Sequence, residues 1–254
     1  MPSEPRALLL DHGGVIARSV KHPERVAQVA ARVHKLLGTA GCATLSAAQV
    51  QADITAGNAA YKAWKQGSVR RARPREVSHR ELWCDFIGTD WPEPARAVVA
   101  AEASVLCTEL ARALTEKSLA VGMRQVLAEC TAGGIRVGVV SNTLVGAINR
   151  GLERDWGTDV HLGVQVYSDE VGYRKPDPAL IEQAARALRT APGDCWYVGD
   201  TYDRDVVCGR RAGVGATILM LPPDRRDQTV TPQPDAAVAD GPELLALLRS
   251  AVRP

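Results

Sequence analysis

A parallel α/β sheet interrupted by a helical insertion is the fold class that this 254-residue sequence predicts, and three observations predict it. Ala7-Leu8-Leu9-Leu10 is an unbroken apolar run stopped by Asp11, His12 and the pair Gly13-Gly14, the pattern of a short buried strand ending in a tight loop. From Pro23 onward apolar residues recur mainly at three- and four-residue intervals, a helical period, and the whole stretch from about 18 to 115 shows no convincing strand. Beyond 115 strand-like and helix-like segments alternate, which implies right-handed βαβ crossovers and a parallel sheet covered on both faces.

Val26, Val29, Ala30, Val33, Leu36 and Leu37 form the stripe of the first helix, and Gly38 stops it. Further helices are expected near 46–66, 78–88 and 93–115, with the basic, proline-containing segment Val69 to Arg75 as a loop inside the insertion. A helix over about 121–132 leads into the strand Arg136 to Val140, which closes on Ser141-Asn142 before another helix. Strands Val164 to Tyr167, Cys195 to Val198 and Ala216 to Leu221 then alternate with helices Pro178 to Leu188 and Val206 to Ala212. A Pro-rich connection from Pro222 to Pro234 precedes a short strand near Ala237 and a last helix from about Pro242. The core is thus expected over 1–17 and 116–254 and the helical insertion over 18–115. Open parallel sheets bind ligands at the carboxyl ends of their strands, so Asp11, Ser141 and Asp200 are expected to converge there.

The 31 basic and 29 acidic residues nearly cancel, leaving no strong field for nucleic acid or an anionic membrane. No apolar run is long enough to span a bilayer, and the N-terminus lacks the organisation of a signal peptide. Six scattered cysteines without a C-x-x-C pair argue against a zinc cluster or disulfide framework and for a reducing cytoplasm. A small-molecule substrate and a monomer or homodimer are the expectation.

Four segments carry the chemistry: Asp11-His12-Gly13-Gly14-Val15, Val140-Ser141-Asn142, Arg174-Lys175-Pro176, and Gly199-Asp200 followed by Asp205. Each has an ordinary reading as well. An isolated Asp11 or Ser141-Asn142 would serve as a helix cap or turn, and Lys175 as a solvated lysine. In this order, however, the four resemble the haloacid dehalogenase superfamily, with the insertion placed as in its C1-capped members. The resemblance implies a Rossmann-like core, a helical C1 cap and a phosphate ester substrate, with Asp11 as the nucleophile that accepts the phosphoryl group. It further implies Mg²⁺ held by Asp11, the Gly13 carbonyl and Asp200, with Asp205 supporting Asp200. Lys175 and the Ser141 hydroxyl would bind phosphoryl oxygens, whose charge must be stabilised in transfer. Amides of His12, Gly13 and Gly14, and that of Asn142, would add further donors.

One departure stands out. Most phosphatases of the family carry a second aspartate, the general acid and base, two residues after the nucleophile, where this chain has Gly13. General acid-base assistance is worth roughly 10² to 10⁴ in rate, so a slow enzyme that favours good leaving groups, such as a sugar 1-phosphate or an acyl phosphate, is expected. His12 is the nearest titratable candidate to fill the role; its alternative is to pack beside the loop or face the cap, since the next residue along a strand faces the other way. Arg18, Lys21, His22 and the loop Arg70 to Arg75 read either as substrate contacts or as solvated charge. Two other functions compete: carbon-halogen hydrolysis, which needs no metal, and a non-catalytic binding or regulatory member.

Overall fold

The computed structural model describes residues 3–42, 44–227 and 229–252. Two compact units are present, one of Met1–Ser19, Arg71–Arg75 and Lys117–Pro254, the other of Val20–Arg70 and Glu76–Glu116.

The first unit is built on six parallel strands, β1 (Ala7–Leu10), β4 (Arg136–Ser141), β5 (Leu162–Tyr167), β6 (Cys195–Gly199), β7 (Ala216–Met220) and β8 (Ala236–Val238), in the order β5-β4-β1-β6-β7-β8. The chain runs outward from β1 through β4 to β5, then returns to the far side of β1 and continues through β6, β7 and β8. The strand order therefore reverses beside β1, the place where open α/β sheets form their ligand crevice.

All four β1 residues are buried, and they divide between two layers. Leu8 and Leu10 join α6 (Met123–Ala132) and α11 (Gly241–Val252) on one face, whereas Ala7 and Leu9 join α9 (Ala179–Ala187) and α10 (Val207–Ala212) on the other. A strand covered on both faces needs apolar residues at every position rather than at every second one, which is why the run is unbroken. Each leucine buried this way contributes about 2 kcal/mol.

The second unit is helical, with α1 (Val26–Thr39), α2 (Ala47–Ser68), α3 (His79–Glu81) continuing as a wide turn over Leu82–Ile87, α4 (Glu93–Ala101) and α5 (Ala103–Leu114). Its core includes Val29, Val33, Leu37, Val50, Ile54, Trp83 and Leu106. Ser46 caps α2 through the Gln49 N–H, and Ser78 and Glu81 form a reciprocal capping box. The expected single helix over 93–115 is instead broken at Glu102.

The expectation of no strand in the insertion is corrected at its two ends. β2 (Ala17–Lys21) and β3 (Thr115–Leu119) form a two-stranded sheet. After Ala17 every β2 residue is exposed, and β3 alternates between exposed and half-buried, so neither strand leaves an apolar run to be read. Arg71–Arg75 cluster with the first unit rather than with the helices flanking them in sequence. Pro74 accepts a hydrogen bond from the Arg174 N–H at 3.0 Å, and Arg75 bridges Tyr173.

Candidate active site

Alternation along β1 decides which way its last residues face. Leu8 and Leu10 point to one layer, and His12 follows them; Leu9 points to the other, and Asp11 follows it. The Asp11 N–H donates to the Val198 carbonyl at 2.9 Å, extending the β1–β6 pairing by one step. Asp11 is thereby fixed at the carboxyl edge of the sheet, 7% exposed.

Lys175 reaches that edge from the loop before α9. Its Nζ lies 3.1 Å from Asp11 Oδ1 and 2.7 Å from Asp205 Oδ1, and it donates to the Tyr197 hydroxyl at 2.8 Å. Burial opposes the ammonium's charge, but Asp11 and Asp205 outweigh it and raise the Lys175 pKa above its ordinary value. Burial likewise opposes charge on Asp205, yet Lys175 and Arg204 prevail and hold that carboxyl well below the usual range. The loop itself is braced by Asn142, whose Oδ1 accepts from the Lys175 N–H at 2.8 Å and whose Nδ2 donates to the Lys175 carbonyl at 3.1 Å.

Asp205 has no spare capacity. Oδ1 accepts from Lys175 and Tyr197, and Oδ2 from the N–H groups of Asp200 and Thr201 and from the Thr201 hydroxyl. Gly199 permits this, since a Cβ there would overlap the Asp205 side chain. Asp200 differs. Burial and the charges of Asp11 and Asp205 push its carboxyl up to about 7. Its Oδ1 is buried without a hydrogen bond, and the nearest cation, Arg204, stands 3.7 Å away.

Asp11, Asp200 and Asp205 offer ligand oxygens all within 4.8 Å of one another. Three carboxylates so close repel unless a cation compensates, and an all-oxygen donor set suits a hard cation such as Mg²⁺. With Asp205 fully engaged, the free oxygens belong to Asp11 and Asp200. The residues present therefore fit a divalent ion between those two.

Gly14 is required where it stands. Its φ is +82°, and a Cβ would overlap the Asp200 carboxylate. Gly13 is the opposite case: a Cβ there meets nothing within 4 Å.

The structure thus brings Asp11, Lys175, Asn142, Asp200 and Asp205 into one connected set, and it places Ser141 at the end of β4, the strand beside β1. Two expectations are corrected. His12 offers no contact to a ligand at this edge: its ring is wholly buried in the opposite layer, and its N–H donates to Asp11 Oδ1 at 2.7 Å. Burial lowers the ring's pKa. The Gly14 N–H is committed to the Ala17 carbonyl at 2.9 Å, so of the three loop amides expected as donors only that of Gly13 is not spent in this way. The Asn142 side chain is spent on the Lys175 loop, so only its main-chain N–H remains to meet a ligand.

Sequence reasoning missed Tyr197 and Thr201, which complete the shell around Asp205, and Ser168, which braces Thr143 through hydrogen bonds of 2.9 and 3.0 Å. Tyr197 lies in an apolar strand and reads as core. A signal existed in Gly199, whose bare backbone two residues further along the same face makes room for a side chain.

The family model of the haloacid dehalogenase-like hydrolases matches residues 5–213. Among characterised relatives, the glyceraldehyde 3-phosphate phosphatase of Methanopyrus kandleri is 36% identical over 77 residues, covering 28% of this chain and 33% of that protein. The first relatives are matched over only about a third of their length. The structure of a HAD phosphatase from Thermococcus onnurineus aligns at a TM-score of 0.58 with 17% identity, over 95% of this chain and 97% of the other. A 2-haloacid dehalogenase from Pseudomonas syringae pv. Tomato DC3000 aligns at 0.59 with 15% identity, over 98% and 99%. One fold therefore accompanies both chemistries, and the site must decide between them.

Proposed function

This chain belongs to the haloacid dehalogenase-like hydrolase family, and on that premise we propose that it is a magnesium-dependent phosphohydrolase acting on a small phosphorylated metabolite, such as a sugar phosphate. The carrying observation is the pairing of Asp11 with Asp200, which has a glycine cleared for it, no hydrogen bond to its buried Oδ1, and a carboxyl raised to about 7. Attack on carbon needs no second carboxylate beside the nucleophile. Delivering an anionic carboxylate to an anionic phosphate does need compensation.

Mg²⁺ would be held by Asp11, the Gly13 carbonyl and Asp200, and when bound it supplies the positive charge that offsets the phosphoryl oxygens. Asp11 attacks phosphorus and forms the aspartyl-phosphate that water then hydrolyses. Lys175, held charged by Asp11 and Asp205, balances the nucleophile before attack and the phosphoryl oxygens during it. The Ser141 hydroxyl and the N–H groups of Gly13 and Asn142 donate to the same oxygens. Asp205 takes no part in bonding to substrate; it fixes Lys175 and the Asp200 turn. The six cysteines, all free, support a reducing, cytoplasmic setting; among the described residues no helix is long and apolar enough to cross a membrane.

With Gly13 in place of an acid, the leaving group departs without a proton from this loop, which favours acyl phosphates and sugar 1-phosphates over alkyl esters. The same glycine favours the second reading, carbon-halogen hydrolysis. A panel of phosphorylated metabolites and 2-halocarboxylic acids, assayed with Mg²⁺ and with chelator, separates them. Phosphate release that chelator abolishes is expected; halide release that chelator leaves intact would establish the alternative.

A further inference from the structure

Helix α7 (Gly146–Trp156) turns an unusual face inward. Its buried residues are Gly146, Asn149 and Glu153, although a helix covering a core normally presents an apolar stripe. Glu153 is 0% exposed, and its Oε1 lies 3.1 Å from Nε2 of His12, itself 0% exposed, out of line for a full hydrogen bond. The His12 ring is stacked on Trp156 with 6.1 Å between centroids and 13° between planes. Glu153 is held in turn by the buried Thr158, whose single hydroxyl hydrogen is shared between Oε2, the nearer acceptor, and the Glu153 carbonyl. Nearby, Lys117 Nζ donates to Asn149 Oδ1 at 2.7 Å.

This polar cluster is outside the site described above and adds little to stability, because a buried pair of this kind is often matched or bettered by apolar residues of similar volume. Its connections give it another use. His12 is gripped by its ring in one layer, while its N–H holds Asp11 Oδ1 at 2.7 Å and its carbonyl accepts from Ala17 at 2.8 Å. Glu153 lies on the helix that follows the Ser141-Asn142 turn. The N-terminal end of that helix is pinned by the Gly146 N–H to Asp169 Oδ2 at 2.9 Å. The contact between Glu153 and His12 therefore ties the loop carrying the nucleophile to the helix behind the phosphate-binding turn.

We propose that Glu153 is a positioning residue for Asp11, acting through the ring of His12 to keep the nucleophile in register with the Ser141-Asn142 turn. The inference rests on the phosphohydrolase reading of the same site. It explains why polar residues occupy two facing positions where leucines would pack without desolvation cost. Misplacement of reacting groups by about 1 Å costs up to about 10²-fold in rate, so loss of the tie is read in kcat rather than in KM.

The test is the double variant His12→Leu/Glu153→Leu, which removes both buried polar groups and leaves neither unpaired. Its Tm is expected at or above that of the native protein, its kcat with Mg²⁺ and p-nitrophenyl phosphate about 10- to 100-fold lower, and its KM within about threefold. A folded double variant with native kcat overturns the proposal. Should the double variant not fold, Glu153→Asp decides, because it keeps a carboxyl group but withdraws it from the ring: lowered kcat at constant KM supports the tie, and native kcat overturns it. Beryllofluoride, which adds to an aspartate carboxylate without turnover, gives a parallel reading by ¹⁹F NMR. Adduct affinity should fall about tenfold or more in the variant, and native affinity there counts against the tie. A native protein that neither forms the adduct nor releases phosphate fails the phosphohydrolase reading, and the inference falls with it; an active native protein with unaffected variants fails the inference alone.

Discussion

Lys175 and Asp11 meet at 3.1 Å, on an ammonium that is also 2.7 Å from Asp205, with Lys175 and Asp205 each 1% exposed. One buried cation thus serves two carboxylates, and a third, Asp200, is left to find its counter-charge elsewhere.

Removing that cation is expected to harm the fold as well as the chemistry. Lys175→Met leaves Asp205 buried with its strongest partner gone, and breaking a buried pair typically costs about 3–5 kcal/mol. Urea unfolding should show a loss of that size, with phosphate release reduced by about 10² or more. A variant of native stability would mean that the lysine is not the keystone of the cluster.

The two adjacent glycines should respond oppositely. Gly13→Ala meets open space and should keep or slightly raise stability, by about 0.5–1 kcal/mol, whereas Gly14→Ala meets both a φ of +82° and the Asp200 carboxylate and should lose more than that. Paired thermal unfolding curves, with and without Mg²⁺, check the contrast.

The same open space makes a gain of function testable. Gly13→Asp places a carboxyl two residues after the nucleophile and should raise kcat on alkyl phosphates by about 10², with less gain on aryl or acyl phosphates. Equal rates in both proteins across leaving groups of widely different pKa would show that Gly13 is not what limits them.

His12 gives a pH dependence of known sign. Burial lowers its pKa below the ordinary 6.5, so as pH falls through that value the unfolded chain takes up a proton before the folded one does. The stability it contributes is present above pH 6.5 and is lost as pH falls toward the folded value. The drop in Tm between pH 7 and pH 5 should be shallower in His12→Asn, and parallel profiles would remove this role.

Much of the scaffold was legible because its signals are local. The apolar run before Asp11, the alternation after 115, the three polar segments at strand ends and the Lys175-Pro176 loop all follow from short-range pattern. The failures are equally physical. β2 and β3 carry mostly exposed or half-buried side chains and so show no hydrophobic run. The direction of His12 follows from strand parity, yet the Glu153 that receives it stands 141 residues away, and no periodicity foretells a buried carboxylate on a helix. That the amide of Gly14 is already spoken for depends on the turn back to Ala17, and that of His12 on the Asp11 carboxylate beside it, pairings that are seen only in three dimensions.

The phosphorylated enzyme is the most direct test of Asp11 as nucleophile. The protein is mixed with Mg²⁺ and an acyl phosphate, quenched in acid within one turnover and digested for mass spectrometry. An acid-stable, alkali-labile phosphoryl group on the peptide containing Asp11, absent with chelator and absent from Asp11→Asn, is predicted. Phosphate released by the native protein with no such adduct, or at an unchanged rate by Asp11→Asn, would contradict the account.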